Sequence, residues 1–187
     1  MNKKTFLLGL RLLLTTAIAG LILGAAYVIT KEPIEIRTAQ LNNEAMKEVV
    51  KGAKDFKKCS KPSGNVLEIQ EGKSENDVKG YAITMKTMGY GGELKLMVGI
   101  SKDGKVEGIK ILSSQETAGL GQNASKPQFS DQFKGKSTDK KLEVVKSKPQ
   151  KKEEIESLTG ATITSKAVTD AVNEAVEFYN AKLKGGK

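Results

Sequence analysis

Thr159, Thr162, Thr164 and Ser165 fall within one short segment, TGATITS, of a chain of 187 residues. Gly160, set among these hydroxyls, lets the backbone approach a ligand closely. An apolar repeat of helical period starts directly downstream, and unpaired amide N–H groups at a helix start favour an anion. The segment is therefore a competent seat for a phosphate. The same residues also suit plain helix capping, with Thr164 or Ser165 as N-cap, and spacing alone leaves both readings open.

The rest of the chain offers little chemistry of its own. It has no histidine and one cysteine, Cys59. That removes a Ser-His-Asp triad, a Cys-His dyad, and any zinc or iron–sulfur ligand set built from this chain alone. What remains is chemistry brought by a cofactor. Cys59 lies in the run KKCSKP, where neighbouring cations favour a lowered thiol pKa, yet a lone cysteine is more often incidental. The net charge of +9 raises the question of a nucleic-acid partner, but the lysines are scattered among acids and aromatic residues make up only 5%. No nucleic-acid partner is expected.

These residues need a scaffold, and the hydrophobic pattern supplies one. Leu12 to Ile29 is free of charged residues and, as a helix rising 1.5 Å per residue, reaches ~27 Å, near the hydrocarbon thickness of a bilayer. A cleaved signal peptide shares the order of basic start and apolar stretch, but this run exceeds the usual length of such a peptide. Lys3, Lys4 and Arg11 precede it, so the positive-inside rule predicts a cytoplasmic N-terminus. Residues 1–30 are thus read as N-terminus and transmembrane anchor of the cell membrane, and residues 31–187 as one extracytoplasmic domain.

Beyond Pro33, the spacing of Ile36, Ala39, Leu41, Ala45, Met46, Val49 and Val50 predicts an amphipathic helix to about Lys54, linking anchor and domain. KDFKKCSKPSGN reads as a loop. Strands are predicted at Val66–Gln70, Val78–Lys86, Glu93–Ser101 and Lys105–Ser113, with a hairpin turn at Lys102-Asp103-Gly104. LKLMVGIS and VEGIKIL alternate only imperfectly, and the expectation is a half-buried antiparallel sheet. From Pro127 to Pro149 the chain is polar, with Phe129 and Phe133 as a packing pair. Ala167, Val168, Ala171, Val172, Ala175, Val176 and Tyr179 share one face of a C-terminal helix over about Ser165–Leu183, closed by Gly185 and Gly186. The predicted class is α+β: a small antiparallel sheet with flanking helices on a single membrane helix.

Glu156 to Thr162, ESLTGAT, resembles the flavinylation motif D-x-x-(S/T)-G-A-T of the FMN-binding domain family, in which the final threonine carries FMN through its phosphate. That position is Thr162, and Glu156 replaces the usual aspartate. Gln115 to Gln122, QETAGLGQ, resembles the family's ETPGLG segment, with Ala118 in place of proline, which frees the turn from a fixed φ. Gly89 to Leu112 looks like the stretch that precedes it in the G subunits of Rnf complexes.

The resemblance implies FMN held as a phosphoester on Thr162 and attached by a separate flavin transferase. It places Glu116, Thr117, Gly119 and Leu120 near the isoalloxazine ring, with Gly89, Tyr90 and Gly91 as a backbone approach. It puts Thr159, Gly160, Ala161, Thr164 and Ser165 around the phosphate, with no catalytic side chain of the chain's own. The implied function is electron transfer within an ion-translocating ferredoxin:NAD oxidoreductase, with membrane and iron–sulfur subunits as partners. The C-type component of the sodium-pumping NADH:quinone reductase shares these blocks and stays an alternative. So do a free-standing flavin-dependent reductase and an anchored binding or scaffold module without redox chemistry.

Overall fold

The computed structural model describes residues 3–75 and 77–185; Gly186, expected to close the last helix, lies outside them. The chain divides into two compact units, 1–41 and 42–187. The first is formed by the greater part of helix α1, Lys3–Val49, which is long and apolar enough to cross a membrane. Its apolar side chains face outward, Leu21 at 74% exposure and Val28 at 72%, so no other part of the chain among the described residues covers them. Lipid is the solvent that fits such a helix.

Pro33 stands inside α1 without ending it, so the expected separate linker helix is the continuation of the same element. The proline removes one donor from the ladder, and the helix stops at Val49, short of the expected Lys54.

In the second unit, β1 (Asp55–Lys58), β2 (Val66–Ser74), β3 (Asp77–Met88), β4 (Glu93–Ser101) and β5 (Val106–Ser114) form a meander in sequence order, every neighbour antiparallel. β1 falls where the polar sequence predicts a loop. It pairs Asp55 with Lys73 and Lys58 with Gln70, because an edge strand needs ladder hydrogen bonds and no apolar face. β4 explains the imperfect alternation. Leu94, Leu96, Val98 and Ile100 enter one core while Met97 enters a second, so both faces of the strand are covered.

The larger core lies between the sheet and helix α3 (Thr162–Lys182), whose Val168, Val172, Ala175 and Tyr179 pack with Ile83, Leu96, Val98 and Ile100. Burying each such valine, leucine or isoleucine side chain contributes about 1.5–3 kcal/mol. Phe129 and Phe133 join this core edge to face, 5.5 Å between centroids. On the opposite face Ala45, Met46, Val49 and Val50 pack on Ala82 and Met97. The approach is so close that a Cβ on Gly99 would collide with the Val49 carbonyl.

The stretch from Pro127 to Pro149 holds helix α2 (Pro127–Ser130), a 3-10 turn Asp131–Phe133 and strand β6 (Glu143–Val145). β6 pairs in parallel with β7 (Glu154–Glu156), and that pair delivers the chain to the loop before α3. The architecture is α+β, in agreement with the class expected from the sequence.

Candidate functional site

A cavity of about 480 Å³ opens where three distant segments meet, and its lining is Tyr90, Glu116, Thr117, Leu120, Gly121, Gly160, Ala161, Thr162, Ile163 and Thr164. Tyr90 stands on the turn between β3 and β4, closed by the Gly89 N–H donating to the Gly92 carbonyl. Residues 116–121 leave the end of β5. Gly160 to Thr164 enter α3. The size suits a cofactor.

The loop before α3 is held from both ends. Ser165 Oγ accepts from the Leu158 N–H at 2.9 Å and donates to the Ala161 carbonyl at 2.9 Å, fully buried. Upstream, Gln132 clamps the Glu156 backbone: Oε1 accepts its N–H at 2.7 Å and Nε2 donates to its carbonyl at 3.2 Å. Gly160 sits at φ +75, and a Cβ there would stand 3.2 Å from Leu120 Cδ2, so position 160 brings two loops together in a conformation that favours glycine.

α3 begins at Thr162, with Ala161 as N-cap and no side-chain cap. The capping role considered for Thr164 or Ser165 is therefore not found, because both lie inside the first turn. The amides of Thr162, Ile163 and Thr164 have no helical carbonyl to donate to, whereas that of Ser165 donates to the Ala161 carbonyl. Thr162 is half-buried at the cavity wall. Thr164 is fully buried, and its Oγ1 is the one buried side-chain polar atom without a hydrogen-bond partner among the described residues. Thr169 on the same helix shows the ordinary solution, donating to the Ser165 carbonyl at 2.9 Å. For Thr164 the carbonyl four residues back belongs to Gly160, outside the helix. An unsatisfied buried hydroxyl on a residue of the cavity lining fits a ligand that supplies the acceptor.

Of the residues singled out from sequence, Tyr90, Glu116, Thr117, Leu120, Gly160, Ala161, Thr162 and Thr164 line this cavity. Ser165 lies behind the wall. Thr159 and Gly119 lie outside the lining, and Gly89 and Gly91 press on Glu116 and Gln115 rather than facing the space. Glu156 is exposed on β7. Sequence reasoning quoted Gly121 within the GLG segment without placing it at the site, and missed Ile163, for which an apolar residue between the two threonines of the TIT run was the available signal. It also missed Gln132, which carried none.

A second cavity, about 460 Å³, is lined by Lys105, Lys134, Lys136, Lys140 and Lys152, with Leu142 as its one apolar side chain. Lys136 donates there to the carbonyls of Lys152 and Glu154, and burial pushes its pKa down. Its lining holds no aromatic side chain. At Cys59, burial first and then Glu71 raise the thiol pKa, so the neighbouring lysines do not make a reactive thiolate.

Residues 89–177 match the model of the FMN-binding domain, a span that starts at the β3–β4 turn and takes in all three cavity segments. The chain is 40% identical over 193 residues to the G subunit of the Na+-translocating ferredoxin:NAD+ oxidoreductase complex of Acetobacterium woodii, covering 95% of this chain and 92% of that protein. It is 41% identical to the G subunit of the proton-translocating ferredoxin:NAD+ oxidoreductase complex of Clostridium ljungdahlii, covering 100% and 97%. Among solved structures, the C subunit of the Na+-translocating NADH-quinone reductase of Parabacteroides distasonis superposes with a TM-score of 0.62 at 18% identity, covering 81% of this chain and 96% of that one.

Proposed function

The chain belongs to the family of G subunits of ion-translocating ferredoxin:NAD+ oxidoreductase complexes, and from that membership we propose that it is their flavin-bearing electron carrier, with FMN joined through its phosphate to Thr162. The observation that carries the reading is the cavity. Three sequence segments that resemble the family's flavin blocks converge on one space, with Thr162 and Thr164 in its lining and the Thr164 hydroxyl unpaired.

FMN supplies one- and two-electron chemistry that no side chain here provides. Thr162 would be the tether: its oxygen displaces AMP from FAD in a reaction run by a separate transferase, and a phosphoester bond replaces the pyrophosphate bond. Thr164 Oγ1 and the first-turn amides of α3 would donate to the phosphate oxygens. Leu120 and Tyr90 would offer apolar surface to the ring, and Ile163 would limit water at the opening. Tethering keeps the cofactor on a domain that lies outside the cytoplasm and its flavin pool. What supports that placement is the positive-inside rule applied to Lys3, Lys4 and Arg11, which would leave the N-terminus cytoplasmic and residues 31–187 across the bilayer.

Electrons would pass between this flavin and the membrane and iron–sulfur subunits of the complex. The coupling ion is not set here: relatives named for sodium and for protons are about equally similar, and the apolar run Leu12 to Ile29 holds no ionisable side chain except Tyr27. Similarity over nearly the full length to G subunits outweighs the fold-level likeness to C subunits, which at 18% identity speaks for architecture alone.

Intact-mass measurement tests the tether. Wild type made with a flavin transferase gains the mass of FMN less water on the Thr162 peptide and fluoresces in a denaturing gel, while Thr162→Ala does neither. An unmodified wild type from that preparation refutes the reading.

A further inference from the structure

Glu116 is 5% exposed, at the joint between the two turns that wall the cavity. Its Oε1 accepts the Tyr90 N–H at 2.7 Å, and its own N–H donates to Ser114 Oγ at 3.1 Å. Three glycines surround this joint. A Cβ on Gly89 would collide with Oε1, one on Gly121 would reach within 2.7 Å of Cδ, and one on Gly91 would come 2.5 Å from the Gln115 carbonyl. None of the three has a positive φ, so backbone conformation does not call for glycine there. The space taken by Glu116 and its neighbour does.

A carboxylate withdrawn from water needs compensating donors, and one held by a backbone amide in a fixed slot resists displacement. From this geometry we propose that Glu116 is a positioning residue: its carboxylate latches the β3–β4 turn to the turn after β5, so that Tyr90 and Leu120 face one cavity. The flavin consequence rests on the function proposed above; the latch itself does not. Oε1 needs to be an acceptor of the right reach, and its charge is secondary. Glutamine keeps that acceptor, whereas alanine removes it.

The experiment uses the full chain in detergent, made with and without the transferase. In the unloaded chain, Glu116→Ala speeds hydrogen exchange at the Tyr90 amide by about tenfold or more, as a lost local hydrogen bond does, while Glu116→Gln leaves it within about twofold of wild type. In the loaded chain, Glu116→Gln keeps the circular dichroism bands of the flavin. Glu116→Ala alters them although the Thr162 peptide still carries the cofactor mass. Unchanged Tyr90 exchange in Glu116→Ala overturns the latch, and so does Glu116→Gln behaving as Glu116→Ala. Should Glu116→Ala fail to fold, Gly89→Ala serves instead: its methyl displaces the carboxylate and must unprotect Tyr90, and full protection overturns the proposal. If wild type takes up no flavin, the exchange data still decide the latch, and only the function falls.

Discussion

Replacing Thr164 by valine removes a hydroxyl and keeps a β-branched side chain of nearly the same shape, with a helix propensity close to that of threonine. At most buried threonines this costs stability. Here Oγ1 has no partner, and a buried polar atom left unpaired carries a penalty of about 1–3 kcal/mol. The unloaded Thr164→Val chain should therefore be more stable than wild type by about 1–2 kcal/mol. For a domain of this size, where 1 kcal/mol moves the midpoint by roughly 2–4 °C, its melting temperature should rise by about 2–8 °C. Loading should reverse the order of benefit. Wild type gains a hydrogen bond to a charged acceptor worth about 1.5–3 kcal/mol, and valine gains none. The rise in melting temperature on flavin attachment is then smaller in the variant. Calorimetry or denaturant melts of both proteins, each made with and without the transferase, give the four numbers. An unloaded Thr164→Val no more stable than wild type refutes the reasoning, because the hydroxyl is then already satisfied and does not signal a ligand.

Gly99→Ala drives a methyl into the carbonyl of Val49, whose carbon would stand 2.5 Å away. The expected loss is about 3 kcal/mol, the upper end of overpacking costs, seen as a lower denaturant midpoint; an unchanged midpoint shows that residues 45–50 do not seat there. At low pH, Asp77 and Asp139 set part of the stability. Hydrogen bonds from Lys79 and Lys102 hold Asp77 below the ordinary carboxylate value of 3.8, and those from Ser137 and Lys184 do the same for Asp139. A folded-state pKa below the unfolded one means stability that is present above that ordinary value and lost as pH falls through the folded one. Asp77→Asn/Asp139→Asn should flatten the acid side of the stability curve below about pH 4 and leave its slope at neutral pH unchanged. An equally steep acid side rules out that contribution.

Long periodic elements were legible in the sequence because many residues vote for them. Val168, Ala171, Val172 and Ala175 marked α3, and Glu93 to Ser101 gave strand β4 with its bounds intact. Short or polar elements were not. β1 has Phe56 as its one apolar side chain, and β6 and β7 are three residues each, below any period. Pro33 suggested a boundary where a helix already committed on both sides absorbs one lost hydrogen bond. In the site, threonine and glycine spacing pointed to a loop that lines the cavity without fixing the helix start. The roles of Ser165 and Gln132 depend on contacts with Leu158 and Glu156 that only the folded chain creates.

The meander ends on β1, four residues long, with Asp55, Lys57 and Lys58 along it. A bare strand margin invites a neighbouring polypeptide to add itself, and proteins confined to a lipid plane meet one another far more often than those free in solution. So brief a border, with Phe56 as its one apolar side chain, gives an incoming strand little to grip. Crowded copies can thus collide repeatedly without zipping together.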